Sequence, residues 1–380
     1  MTTTSDPMGP DAGRILLNGN AKSVERFCSL GSMAAGPSRQ RDPALREQNR
    51  VALINASWGR GEANDGPLRR GFANEGRGKV QNVGLYRAFV TVMRQRDVVR
   101  NLFDEHEAAW ESLYRAYSDE NDMLVASFRN AWKRCQDELG SEAIRPLLAV
   151  GDRHRPGPPT RPVRHYVEHA YAQRLQRHVE ALVQADDRRS TVLFDLWRHF
   201  HLASGLDFDP LWLELRQHIA DALLSASLIA LPGGDPAKLL IACRFFRLEN
   251  ILLEALRRGA HVYGSSAGAM VLGRRVVIFH DRRNPREEFE LFDNGLGLVG
   301  GLQVFPHVND RLQTEDPHNL AYLAARFRHR VCIGLNAGST LALQAKEGGW
   351  EAWSAGDDDV VRFGPDGDKD RIAPGEGMVV

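Results

Sequence analysis

The segment His261-Val262-Tyr263-Gly264-Ser265-Ser266-Ala267-Gly268-Ala269-Met270 carries the pattern G-x-S-x-G, with a short apolar run before it and a helix-forming run after it. That arrangement is a nucleophile-elbow signature: the serine sits on a tight strand-to-helix turn, and the glycines leave room for that turn and for a substrate. Ser266 at the start of the following helix would have backbone N–H groups and the helix dipole beside it, both favouring an oxyanion. The chemistry this suits is acyl transfer to a serine. A turn that does no more than cap a helix would use the same residues.

A rival pattern lies at His165-Tyr166-Val167-Glu168-His169, an H-x-x-E-H arrangement whose histidines fall one helical turn apart, as two zinc ligands would. The chain has 13 histidines, the surrounding segment is rich in charge, and no third ligand can be assigned, so a solvated helix face is the reading preferred. Asp366, Asp368 and Asp370 lack the glycine and glutamate of a calcium loop and read as a surface turn. Cys28, Cys135, Cys243 and Cys332 are widely separated with no C-x-x-C pair, which suits reduced, buried thiols. Neither a metal nor a cofactor is expected.

The bulk composition sets outer bounds. Lys+Arg and Asp+Glu both number 49 in 380 residues, so the basic excess that favours nucleic-acid binding is absent. The N-terminal stretch has Pro, Gly and Asp where a signal peptide needs an apolar run, and no later stretch reaches membrane-spanning length. A cytoplasmic protein with no nucleic-acid or membrane partner is expected.

The elements that must position Ser266 follow from periodicity. Residues 1–13 are small and polar and read as disordered. The runs Ile15-Leu16-Leu17 and Val51 to Ala56, each closed by turn residues, read as buried strands. From about residue 82 the spacing of Leu85, Phe89, Val92 and Met93, and then Val98, Leu102 and Trp110, is helical. Gly151 to Pro162 reads as a proline-rich linker between helices. Strands return at Ala226 to Leu231, His261 to Tyr263 and Val276 to Phe279, with helices between them. That alternation predicts an α/β fold with a doubly wound, mostly parallel sheet in three layers. The domain reading is one α/β domain from residues 14–66 and 216–380, interrupted by a mainly helical insertion at 67–215.

With those elements in place, the segment GSSAGAM resembles the nucleophile segment of the peptidase E and cyanophycinase family of serine peptidases. Three further segments resemble that family in order: Leu231-Pro232-Gly233-Gly234-Asp235, Gly295 to Val299 leading into Phe305-Pro306-His307-Val308-Asn309, and Ile333 to Gly338 followed by Thr340 to Leu343. The resemblance covers about residues 226–363, with Ile15 to Gly19 and Val51 to Ser57 as its first strands, and leaves the helical block without a counterpart. It implies a class I glutamine amidotransferase-like fold and a serine hydrolase that acts on a peptide or small amide next to an acidic residue. It further implies Ser266 as nucleophile and His307 as general base. Gly233 or Gly234 with the Ala267 N–H would form the oxyanion hole, and Asp235, Asn309 and Asn336 would be substrate-contacting positions.

One position departs from the family. The family's third triad member is a glutamate just before a glycine, and here that place holds Ala337. An alanine cannot orient a histidine or stabilise its cation. Asp281 is the preferred substitute, with a solvated turn beside Arg282 and Arg283 as its plain alternative, and the Asn336 amide is the second candidate. A catalytically impaired descendant that binds a peptide or protein partner is therefore the competing function. The helical block reads as a lid, a homodimer surface or a docking module.

Overall fold

The protein is seen here as a computed structural model that describes residues 11–140, 163–279, 289–346 and 349–379, the side chains of 163–165 and 379 excepted. Among the described residues the central sheet has eight strands. Five are parallel neighbours: β1 (Ile15–Asn18), β2 (Val51–Leu53), β3 (Val80–Asn82), β4 (Leu228–Leu231) and β5 (His261–Ser265). Their order is β1-β5-β4-β2-β3.

An antiparallel pair and a parallel pair follow in the chain before the sheet is rejoined. β6 (Arg275–Phe279) and β7 (Phe289–Asn294) pair only with each other, while β8 (Leu302–Pro306) and β9 (Val331–Leu335) are parallel neighbours in a second sheet. β10 (Thr340–Lys346) then lies antiparallel on β1, followed outward by β11 (Gly349–Ser354) and finally β14 (Gly377–Val379). β12 (Val360–Phe363) and β13 (Lys369–Ile372) complete the second sheet, in the order β13-β12-β9-β8.

The three-layer build comes from strand alternation. Successive side chains of a strand point to opposite faces. Leu16, Leu53, Leu228, Ala230 and Tyr263 therefore enter one core, with helices α1 (Val24–Ala35) and α3 (Gly66–Asn74) over it; α2 (Pro43–Gln48) lies between these in the chain. Ile15, Leu17, Ile229, Leu231 and Val262 enter the other, covered by α4 (Leu85–Gln95) and by the start of the long helix α5 (Asp97–Leu139). The remaining α-helices among the described residues are α6 (Val163–Ser204), α7 (Pro210–Leu224), α8 (Pro236–Phe245), α9 (Leu248–Arg257), α10 (Ala267–Leu272), α11 (Val308–Arg311) and α12 (Pro317–Arg326). A mostly parallel α/β sheet between helical layers agrees with the expected class.

Two expectations need correction. Val276 to Phe279 is a strand, but it pairs antiparallel with β7 instead of joining the parallel sheet. Val80–Asn82, inside the stretch read as mainly helical, forms the parallel edge strand β3 on β2. At three residues it is too short to show a strand period.

Asp42-Pro43, Asp209-Pro210, Asp235-Pro236 and Asp316-Pro317 each open a helix by one device: the aspartate side chain accepts a first-turn N–H, and the proline takes a first-turn position where its missing donor costs nothing. The long pair α5 and α6, 43 and 42 residues, is antiparallel, since Phe103 meets Trp197 and Tyr117 bonds Asp186. At about 1.5 Å per residue each helix runs for roughly 60 Å. Its near part shares the core of the central sheet, and its far part packs Phe128 and Val179 with Leu323 of α12 and Phe305 of β8.

All four cysteines are buried and unbonded. Among the described residues no helix is long and apolar enough to cross a membrane, and no group of three or more His, Cys, Asp or Glu is placed to hold a metal. The side chain of His165 lies outside the described residues, and His169 meets the Gln173 side chain at 2.9 Å. Of the expected surface turn, Asp366 lies in a turn, but Asp370 lies in β13, opposite Arg362 of β12, from which it accepts at 3.0 Å.

Candidate active site

β5 ends at Ser265 and α10 begins at Ala267, so Ser266 stands alone at the turn, with φ 51° and ψ −112°. A serine in that conformation carries strain of about 1–3 kcal/mol, which the surroundings must hold in place. Gly268 permits the turn: a Cβ there would lie 2.1 Å from the Leu231 carbonyl oxygen, so any side chain would push α10 off β4. The Ser266 N–H donates to the Asn18 carbonyl at 2.9 Å, and the Ser265 hydroxyl donates to Asn18 Oδ1 at 2.8 Å.

His307 arrives from a different sheet. It follows β8, takes a left-handed conformation (φ 56°, ψ 35°) and accepts the N–H groups of Asp310 and Arg311 at 2.9 Å on its carbonyl, turning the chain into α11. Its Nε2 lies 2.7 Å from Ser266 Oγ. Burial holds the imidazole below its ordinary pKa, the positive charge of Arg311 adds to that, and Asp310 opposes it. The ring is thus kept neutral and able to take a proton.

The glycine pair closes the site from a third direction. A Cβ on Gly233 would stand 3.1 Å from Ser266 Cβ and 3.7 Å from its Oγ, so the bare backbone lies against the nucleophile. The Gly233 carbonyl is held by Ser57 Oγ at 3.1 Å and by the Trp58 indole N–H at 3.0 Å. A trans peptide points its N–H opposite to its carbonyl, so these contacts also fix the direction of the Gly234 N–H. Gly234, at φ 144°, has no room for a side chain, which would meet Ser57 at 2.9 Å. Ala267 opens α10, where first-turn N–H groups lack intrahelical partners. Gly233→Ala is expected to slow acylation of Ser266 by about tenfold or more while the protein stays folded, as measured by the rate of covalent labelling.

The other expected residues fall in distinct places. Asp281 lies outside the described residues. Asp235 caps α8, accepting from the N–H groups of Ala237 and Lys238 at 2.9 and 3.2 Å, and pairs with Lys238 at 2.9 Å. Asn336 accepts the Asn309 N–H on Oδ1 at 3.0 Å and so ties the β9 end to the turn after His307. Asn309 and Asn336 together line a cavity of about 310 Å³ shared with Glu315, Asp358 and Lys369. Beside Ala337, Asp358 accepts the Gly338 N–H at 3.1 Å. Among the described residues, the one hydrogen bond of the His307 ring is that to Ser266.

Sequence reasoning missed Asn18. It is fully buried at the end of β1, and its Nδ2 donates to the Ser339 carbonyl at 2.8 Å and the Ala337 carbonyl at 3.2 Å. With its bonds to Ser265 and Ser266 it joins the nucleophile turn to the loop holding Ala337. A polar residue ending a wholly apolar strand was the available signal. Ser57 and Trp58 were read only as the end of a strand and its closing turn.

Comparison with known proteins bears on the same region. Residues 197–348 match the family described as peptidase family S51. A curated relative, the pyridoxal 5'-phosphate synthase subunit PdxT of Kosmotoga olearia, is 24% identical over 88 residues, which are 23% of this chain and 44% of that protein. The chain thus spans less than half the length of that relative. Among solved structures, the crystal structure of a peptidase from an acI-B1 Actinobacterium aligns over 97% of both chains at 14% identity, with a TM-score of 0.46.

Proposed function

We propose that this chain, whose residues 197–348 match peptidase family S51, is a serine hydrolase that cleaves a peptide or amide bond through an acyl-enzyme on Ser266. The observation that carries the reading is the 2.7 Å contact between Ser266 Oγ and His307 Nε2 at a strained turn, with a bare glycine backbone beside it. His307 Nε2 takes the hydroxyl proton as Oγ bonds to the carbonyl carbon. The oxyanion faces the N–H groups of Ala267 and Gly234 or Gly233, and the proton passes to the leaving amine as the C–N bond breaks. Water then attacks the ester with His307 again as base. By the family resemblance the scissile bond adjoins an acidic residue. Four buried, unbonded thiols accord with a reducing compartment, and a cytoplasmic location belongs to this reading.

Because only neutral His307 can act as base, labelling should rise with pH through the folded-state pKa and then level off. Burial and Arg311 lower that pKa, so the half-maximal pH is expected below the ordinary histidine value of 6.5. A profile with its midpoint at or above 6.5 would contradict the geometry.

A second reading, a peptide-binding protein on a peptidase scaffold, is favoured by Ala337 and by the single hydrogen bond of the His307 ring among the described residues. A fluorophosphonate probe on wild type, Ser266→Ala and His307→Ala separates the two. Labelling of wild type that is lost in both variants supports the hydrolase; folded wild type that never labels supports binding alone.

A further inference from the structure

Ser266 and His307 stand on different sheets, and a short loop, residues 336–339, runs from one sheet to the other. It leaves β9, whose Leu335 pairs with Pro306 just before His307, and enters β10, whose Thr340 pairs with Asn18 of β1. Asn18 pairs on its other side with Ser265 of β5, just before Ser266. The separation of nucleophile and base is therefore fixed across this loop, and neither sheet sets it alone.

An asparagine side chain holds each end of the loop. At the nucleophile end Asn18 is fully buried; its Nδ2 donates to the carbonyls of Ser339 at 2.8 Å and Ala337 at 3.2 Å, and its Oδ1 accepts the Ser265 hydroxyl at 2.8 Å. Its backbone carbonyl accepts the Ser266 N–H at 2.9 Å, so one residue grips both the loop and the strained turn. At the base end Asn336 Oδ1 accepts the N–H of Asn309, two residues past His307, at 3.0 Å. Between these ends the Gly338 N–H donates to Asp358 at 3.1 Å and the Ser339 hydroxyl to the Asp359 carbonyl at 2.6 Å, so the loop is a fixed spacer.

We propose that Asn18 and Asn336 are positioning residues that clamp this loop from its two ends and so hold Ser266 Oγ at 2.7 Å from His307 Nε2, within reach for proton transfer. Both act through the backbone, Asn18 through the turn at Ser266 and Asn336 through the turn after His307. Moving reacting groups apart by about 1 Å costs on the order of 10²-fold in rate, so a clamp of this kind acts on catalysis more than on binding. The catalytic consequence rests on the serine-hydrolase reading; the dependence of the Ser266–His307 contact on the two asparagines does not.

The test takes two readouts on full-length protein: saturable fluorophosphonate labelling at the pH plateau, and the nitrogen NMR shift of His307 Nε2 in histidine-labelled protein, which reports the contact without turnover. Asn18→Ala should lower the maximal labelling rate by about 100-fold and Asn336→Ala by about tenfold. The half-saturating probe concentration should stay within about twofold of wild type in both. Because both side chains act through one loop, the double variant should lose little more than Asn18→Ala alone. Asn336→Asp keeps the acceptor for Asn309 and should label within about threefold of wild type. Ser266→Ala should move the Nε2 shift in the wild-type background and leave it unmoved in Asn18→Ala/Asn336→Ala. Should Asn18→Ala fail to fold, Asn336→Ala, whose contact is exposed, carries both readouts with Asn336→Asp as its rescue. Wild-type labelling in Asn336→Ala, or a Ser266→Ala shift of equal size in both backgrounds, overturns the proposal and leaves the hydrolase standing. A wild type that never labels, with an Nε2 contact that still depends on the asparagines, refutes the hydrolase and leaves the clamp standing.

Discussion

Ser266→Ala is expected to abolish covalent labelling and to lower hydrolysis of any substrate by about 10⁴-fold or more, because the bond-forming atom is lost while the oxyanion contacts and binding surface remain. The residual rate should match that of His307→Ala and of the double variant, since the two groups act as a unit at 2.7 Å and their losses do not add. Stability should move differently from activity. With φ 51° and ψ −112° at this position, alanine keeps the strain of serine, whereas glycine relieves it. Ser266→Gly is therefore expected to melt above Ser266→Ala while being equally inactive. Thermal melts beside labelling rates check this, and a glycine variant that melts lower would show that the turn is not strained.

The second large effect concerns stability. Arg326 of α12 is fully buried and meets Asp186 of α6 through Nε at 3.1 Å and Nη2 at 2.9 Å. It also donates to Asn121 Oδ1 of α5 at 2.8 Å and to the Phe289 carbonyl of β7 at 2.8 Å. Asp186 in turn accepts from the Tyr117 hydroxyl at 2.6 Å. The aspartate's field holds the guanidinium charged against the cost of burial, and the same field, with burial, keeps the Tyr117 phenol protonated. Removing one partner strands the other charge without solvent, so Arg326→Met should cost about 3–5 kcal/mol. Arg326→Met/Asp186→Leu should recover a large part of that loss, because no charge is then left unpaired. Denaturant midpoints of the two variants decide it: a double variant as unstable as the single would mean that the cost lies in packing.

Much of this was readable in the chain itself, for local reasons. The runs Ile15 to Leu17, Ala226 to Leu231 and His261 to Tyr263 announced buried strands because a parallel sheet covered on both faces needs unbroken apolar sequence. Gly264 to Gly268 announced the turn at Ser266, since the backbone there approaches Leu231 too closely for any side chain. His307 was named by its place in a segment order, and the structure brings its ring to Ser266. The Asp-Pro pairs carry a local signal for four helix starts that was not read, and one of them occupies Asp235, expected at the substrate, as a cap.

Other features were settled only by the packed chain. Whether β8 and β9 join the central sheet depends on which edges meet, and residue patterns hold no record of edges. Asn18 reaches Ser339 across 321 positions, and Arg326 reaches Asp186 across 140, so no window along the sequence contains both partners. A cavity lined by Trp197 is assembled from α5, α6, α8 and β7, and no window along the sequence contains all four. Periodicity and steric demand act over a few residues and are written locally. Partner choice and cavity shape arise when distant surfaces close on one another, and they exist only in the folded chain.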